Sequence, residues 1–317
     1  MLAAMMAAAC AVAPPVAQAQ LASSAPVVAD CGFNDDCQRS GSDCGFSVDC
    51  PRTYQAAAVN ASVTDHGVGA EEATQAHELA RAECAGRTHS AVLETGGWCY
   101  DTDKARRVNG RSGSSYLIPM FHDTPDEGVV SVIVGLLGQS KAAPLSLVDL
   151  GAGVGTYGRA LSERLPGLRY TGYDGAGNVE DFTDGYVNFA DLTMRWPTIQ
   201  RSEWAISLEV GEHIHHEKEV VFVRNLHAAN CRGIVLSWGV LDQPGHGHIN
   251  CHSNDYLTGL MTELGYRLNT NLTSTIRTNA QHWWFQKSAM VFERLSRPAE
   301  CGPATVDVAM KARVHVS

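Results

Sequence analysis

The chain has 317 residues, 44% of them apolar and 18% charged, and a formal charge of −10. That composition suits a globular protein with a sizeable buried core. The acidic balance, with no long Lys/Arg cluster, disfavours a protein that grips nucleic-acid backbone through broad electrostatics.

Residues 1–19 are small and apolar and end in Ala17-Gln18-Ala19, the pattern of a cleavable or targeting leader. Prolines interrupt this stretch, and no later segment is long and apolar enough to span a bilayer. Residues 20–65 carry an imperfect repeat, CGFNDDC (31–37) and CGFSVDC (44–50), in a Gly/Ser/Asp-rich context. A small disulfide-stapled element is expected there, because Cys-x5-Cys is wider than the usual spacing of structural zinc ligands. The sequons at Asn60 and Asn271 agree with a secretory route, lumenal or extracellular, with a cytoplasmic or organellar location as the alternative. Loss of the leader would remove Cys10 from ten cysteines (10 − 1 = 9), so one should stay free or pair between chains.

Residues 66–143 read as a cap or pre-domain. Ala73, Ala76, Ala80 and Cys84 recur at helical spacing, which predicts a helix from about Glu71 to Ala85. GGWCYD (96–101) is read as an aromatic core contact around Trp98, and GVVSVIVGLLG (128–138) as a buried helix. From residue 144 to 296 the pattern is regular. Strands are predicted at 145–153, 169–175, 186–192, 204–210 and 233–240, with helices from Tyr157 to Leu165, after the fourth strand to about Asn230, and from Ser253 to Gly265. TSTIRT (273–278) and SAMVFERL (288–295) are expected to form a closing antiparallel pair, and 297–317 is a tail. Apolar strands alternating with helices imply an α/β fold with a parallel sheet covered on both faces. Trp283-Trp284 is read as core packing or a partner surface, and Cys231 and Cys251 as free thiols.

Asp149-Leu-Gly151-Ala-Gly153-Val-Gly155-Thr-Tyr-Gly158 follows a predicted strand and opens a helix, where glycines let the backbone approach a ligand. The stretch also fits the dinucleotide pattern, with Asp174 about twenty residues on. Asp149 speaks against a pyrophosphate and suits a cationic ligand. The decapeptide resembles the first motif of class I S-adenosylmethionine-dependent methyltransferases. Tyr173-Asp174 resembles their acidic second motif, Ala190-Asp191-Leu192 the adenine motif, and SLEVGEHI (207–214) the fourth motif. The resemblance implies a Rossmann-like, doubly wound, mostly parallel seven-stranded sheet with a reversed last strand, preceded here by an N-terminal extension. It also implies S-adenosylmethionine as cofactor, held by Asp149, Gly151, Gly153, Gly155, Asp174, Asp191 and Glu209.

The spacing Glu209-x-x-Glu212-His213 is similar to that of ubiquinone-pathway O-methyltransferases and of small-RNA 2′-O-methyltransferases. Glu212 and His213 are the catalytic candidates, since imidazole titrates near neutrality. Glu209, Glu212, His213, His246 and His248 could together hold Mg²⁺, Mn²⁺ or Zn²⁺, with Cys251 tilting the choice toward Zn²⁺. His215 and His216 are read as solvent-facing. The expected reaction moves a methyl group to an oxygen or nitrogen of a small-molecule or glycan-like acceptor. The alternatives are a non-catalytic binding protein on the same scaffold, a metal-dependent enzyme acting on RNA, and an NAD-dependent oxidoreductase.

Overall fold

The structure, a computed structural model, describes residues 67–85, 93, 95–100, 124–139, 145–196 and 198–301. The leader, the cysteine repeat and Asn60 lie outside the described residues. Seven strands form one sheet: β1 (Ser146–Leu150), β2 (Arg169–Asp174), β3 (Val187–Phe189), β4 (Ser202–Leu208), β5 (Asn230–Ser237), β6 (Tyr266–Leu268) and β7 (Met290–Arg294). Their order is β3-β2-β1-β4-β5-β7-β6. The pairs among β1 to β5 are parallel, whereas β7 runs antiparallel to both β5 and β6, so the last strand is the reversed one. This is the Rossmann-like α/β arrangement with the strand reversal of the methyltransferase fold.

The strands are buried on both faces, and their side chains alternate between two apolar layers, as the pleat requires. Val148, Leu150, Ala205, Ile234 and Leu236 face one layer, and Leu147, Trp204, Ile206 and Val235 face the other. The first layer is closed by helices α1 (Ala70–Cys84), α4 (Val179–Thr183), α5 (Glu219–Ala228) and α6 (Asn254–Glu263). The second is closed by α2 (Glu127–Gly138), α3 (Thr156–Arg164), α7 (Thr270–Asn279) and α8 (Trp283–Ser288). In α2 the buried residues Val129, Val130, Ile133 and Leu137 mark one helical stripe, which places this helix against the sheet.

Three sequence expectations change. TSTIRT is helical, within α7, and the short strand paired with β7 is Tyr266–Leu268. The Asn269 side chain accepts a hydrogen bond from the Leu272 amide as an N-cap, and Thr273 and Ile276 share the buried face, so capping and burial override the β-branched composition. Between β4 and α5 the chain makes two 3-10 turns, Gly211–His213 and His216–Lys218, rather than one continuous helix. Cys231 is not free: it is bonded to Cys301, and a second disulfide joins Cys84 to Cys99, leaving Cys251 as the free thiol among the described residues.

Asp126, wholly buried, ties the second layer together. One of its oxygens caps α2 through the Val129 amide, and the other accepts from the Gln281 and His282 amides ahead of α8. Asp126→Ala is therefore expected to cost about 2–4 kcal/mol, the sum of a lost cap and orphaned amides. Urea denaturation checks this, and a loss below about 1 kcal/mol, less than a typical cap alone, would contradict it.

Candidate active site

The carboxyl edge of the sheet gathers most of the residues singled out in the sequence. After β1 the chain turns through Gly151, Gly153 and Gly155, all at positive φ (87°, 58° and 79°), a path that β-carbons would strain. The Gly151 and Ala152 amides donate to the Tyr173 carbonyl, and Gly155 is the N-cap of α3. Asp174, at the end of β2, holds this turn: its carboxylate accepts from the Gly153 amide at 2.8 Å and from the Ala176 amide at 2.9 Å. Burial raises the Asp174 pKa, while those amides and the nearby Tyr100 phenol act in the opposite direction. Each carboxylate oxygen has a second lone pair that a ligand hydroxyl can use.

Asp149 is placed differently from the expectation of a ligand-facing carboxylate. It shares the sheet face of Leu147, is buried, and accepts a hydrogen bond from the Tyr170 hydroxyl at 2.9 Å. Burial, chiefly, pushes its pKa up to about 7. Asp191, just beyond β3, accepts from the Thr193 amide and hydroxyl and so shapes the turn that follows the strand.

Glu209 ends β4 at a left-handed φ of 55°, an uncommon conformation for a residue with a side chain. Its carboxylate accepts from Gln243 and from the Ser288 hydroxyl, which links β4 to the loop after β5 and to the end of α8. The next residue, Val210, packs directly on Gly151, so the glycine turn and the 211–213 turn are in contact. Within that second turn Gly211 lies flat against the Trp238 ring, the buried Ile214 anchors the exit, and the His213 amide closes on the Val210 carbonyl. The result points Glu212 inward and leaves His215 and His216 exposed.

Glu212 is 0% exposed, and neither of its carboxylate oxygens makes a hydrogen bond of normal geometry, although the Gly239 backbone and the Glu209 carboxylate lie close enough to act on its protonation. Burial first, and the Glu209 carboxylate second, drive its pKa well above the ordinary value. Facing it are His213 and His248: ligand atoms from the three residues lie within 4.8 Å of one another. Nδ1 of His213 is 3.1 Å from the Gly247 carbonyl, and Nδ1 of His248 is 3.1 Å from the Gln243 carbonyl. A carbonyl only accepts, so each ring carries a proton on Nδ1 and turns Nε2 the other way. For His248 that Nε2 points to Glu212 at 3.9 Å, and burial lowers the pKa of the ring, favouring its neutral form. Two imidazoles steadied by backbone carbonyls and one buried carboxylate are a donor set that fits a divalent cation.

The structure does not bring the other expected ligands into this trio. The Glu209 carboxylate is engaged by Gln243 and Ser288, and His246 is exposed, edge-on to Trp98. Cys251 is outside the trio, its Sγ 3.8 Å from Nδ1 of His248, and burial, with the Glu212 carboxylate second, pushes its thiol pKa up to about 11. Trp98 is at the rim rather than in the core, with its ring edge-on to His213 at 5.9 Å and to His246 at 6.1 Å. It is held there by its neighbours. Cys99 is tied to the end of α1, the Thr95 hydroxyl donates to the Gly175 carbonyl, and a β-carbon on Gly97 would fall 2.3 Å from Gly175 backbone. The run Thr95–Tyr100 thus crosses from Asp174-Gly175 to His213, a bridging role that no periodicity in the sequence signals.

No protein-family model matches the sequence, and no curated protein matches it. Among solved structures, the chain is similar to the magnesium protoporphyrin IX methyltransferase of Synechocystis PCC 6803 with bound SAH, with 17% identity, a TM-score of 0.39 and coverage of 52% of this chain and 81% of that one. It is also similar to the methyltransferase domain of a bacterial Hen1 protein (14% identity, TM-score 0.39, coverage 53% and 98%). A third is the 1,6-didemethyltoxoflavin-N1-methyltransferase of Burkholderia thailandensis (16%, 0.36, 53% and 77%). The fold assignment rests on the strand order and register described above.

The buried Asp149 gives the fold a pH signature. Its pKa is about 7 when folded against an ordinary value of 3.8. Between those values the unfolded chain releases this proton while the folded chain keeps it, so stability falls as pH rises from about 4 to about 7 and levels off above. Glu212 and Asp174, also raised, act in the same direction. Asp149→Asn should flatten part of that decline in denaturation midpoints measured across the window; an unchanged slope would contradict the burial argument.

Proposed function

We propose that the protein is an S-adenosylmethionine-dependent methyltransferase that acts on an acceptor hydroxyl beside a divalent cation held by Glu212, His213 and His248. The observation that carries the reading is a juxtaposition on one sheet edge. The glycine turn clasped by Asp174 touches Val210, and two residues farther on the buried, unpartnered Glu212 meets two histidines. S-adenosylmethionine suits the first half: it carries no phosphate, its ribose hydroxyls match the remaining acceptor capacity of Asp174, and Asp191 is placed at the next strand end for the adenine side. The cation supplies Lewis acidity, lowering the pKa of an acceptor hydroxyl.

The chain's own groups do the rest. Methyl transfer is an in-line displacement, so its rate depends on alignment and exclusion of water. Trp98 and the disulfide-tethered run around it cover His213, and the Glu209 carboxylate, fixed by Gln243 and Ser288, sets the angle at which the 211–213 turn leaves β4. His213 and His248 keep their Nδ1 protons on backbone carbonyls, which orients Nε2. A small-molecule acceptor accords with the net charge of −10. The two disulfides support a route through an oxidising compartment, where such bonds persist.

Calorimetric titration tests the cofactor. The wild type should bind S-adenosylmethionine, and Asp174→Ala should weaken that binding by about 10-fold or more, the scale of a lost hydrogen bond to a charged group. No binding to the wild type, or equal binding to both, would overturn the assignment. Exhaustive chelation should abolish turnover while leaving cofactor binding in place; full activity after chelation would remove the cation from the account.

A further inference from the structure

A second buried carboxylate lies behind the trio of Glu212, His213 and His248, and neither the glycine turn nor the trio uses it. Glu219, the first residue of α5, is 4% exposed. An acidic residue in a first helical turn ordinarily faces water, where the helix dipole alone favours it. Glu219 instead turns inward and collects three donors from two other segments. The Asn250 amide group donates to Oε2 at 2.9 Å, His252 Nε2 meets the same oxygen at 2.6 Å, and the Tyr256 hydroxyl on α6 donates to Oε1. The His252 ring is stacked on Tyr256 with centroids 4.0 Å apart, which fixes its plane.

The segment that these donors belong to is the one that delivers His248. Its other ties run to the opposite side: the Ile249 and Asn250 amides both donate to the Glu212 carbonyl, and the Trp238 indole donates to the Asn250 carbonyl. Asn250 is therefore held between Glu212 on one side and Glu219 on the other, two residues from His248. A free loop of this length would sample many positions, each separating His248 from the turn after β4. Ligating histidines depend on such outer contacts for their orientation.

We infer that Glu219 is a positioning residue: through Asn250, His252 and Tyr256 it locks residues 249–252 against the 211–213 turn and so holds His248 beside Glu212 and His213. The inference rests on the cation reading of the trio. It is nevertheless separable from that reading, because the lock exists before any ion arrives. It makes no use of Glu219 as an acid or a base.

The experiment uses the full-length protein with Mn²⁺ alone as probe, counted by electron paramagnetic resonance, together with amide hydrogen exchange on the metal-free protein. Glu219→Gln should bind Mn²⁺ about 10-fold or more weakly than wild type, the scale of outer-contact losses at metal sites. S-adenosylhomocysteine affinity, read at the glycine turn, should remain within about twofold, inside the range of an uncoupled site. The amides of Ile249 and Asn250 should exchange faster in the variant with no metal present. Mn²⁺ affinity equal to wild type, or unchanged exchange at those two amides, would overturn the inference. If wild type takes up no Mn²⁺, the cation reading fails, and exchange at Ile249 and Asn250 decides the role of Glu219. If Glu219→Gln does not fold, Asn250→Ala carries the same readouts at Ile249 with the same expected direction.

Discussion

A carboxylate taken wholly out of water with no partner is among the most expensive things a fold can hold. Glu212 is such a group, and its surroundings make sense only around it. The 3-10 turn that drives it inward is packed on Trp238 and closed by Ile214, so the side chain cannot swing out to solvent without undoing both. What it meets is not a lysine or arginine but the Glu209 carboxylate and two imidazoles, each with its Nδ1 on a backbone carbonyl. A proton or a cation can relieve Glu212. The raised pKa and the proposed affinity for a divalent ion would be two expressions of the same desolvation.

Everything around that carboxylate is then a matter of holding distances. The parallel sheet fixes the ends of β1, β2 and β4 beside one another, and the register of their pairing sets the glycine turn, Asp174 and Glu209 on one edge. Glu209 at positive φ redirects the chain so that the next turn packs on Gly151. The loop after β5 is bound from both sides before it offers His248. The bonded pair Cys84–Cys99 brings Trp98 to the rim from a distant part of the sequence. The proposed cofactor cleft and cation site, so close together, would need this rigidity, because an error of an ångström in either would separate the reacting groups.

Much of this was legible in the sequence, for identifiable reasons. The apolar runs at 145–153, 169–175 and 204–210 announce buried strands, and glycines immediately after the first announce a ligand turn. Glu212 and His213 stand out because acidic and imidazole side chains seldom follow an apolar strand without a task. Harder to read were features that depend on tertiary context. TSTIRT has β-branched composition but a helical fate, set by a cap at Asn269 and by the burial of Thr273 and Ile276. His246 and His248 are equivalent in the string GHGH, and only the path of the loop exposes one and turns the other inward. Trp98 reads as core because nothing local reveals that its neighbour Cys99 is anchored fifteen residues back at Cys84. Glu219 looks like any acidic residue opening a helix until Asn250, His252 and Tyr256 converge on it.

The proposed function places a methyl donor and a divalent cation side by side on one sheet edge. Crystals grown with S-adenosylhomocysteine and Mn²⁺, with diffraction collected at the manganese absorption edge, address it directly. The nucleoside is expected over the glycine turn with its ribose on Asp174. A single strong anomalous peak is also expected within coordination distance of a Glu212 oxygen and of Nε2 of His213 and His248. A seated nucleoside with no anomalous peak, or a peak elsewhere on the molecule with Glu212 unliganded, would contradict the proposal.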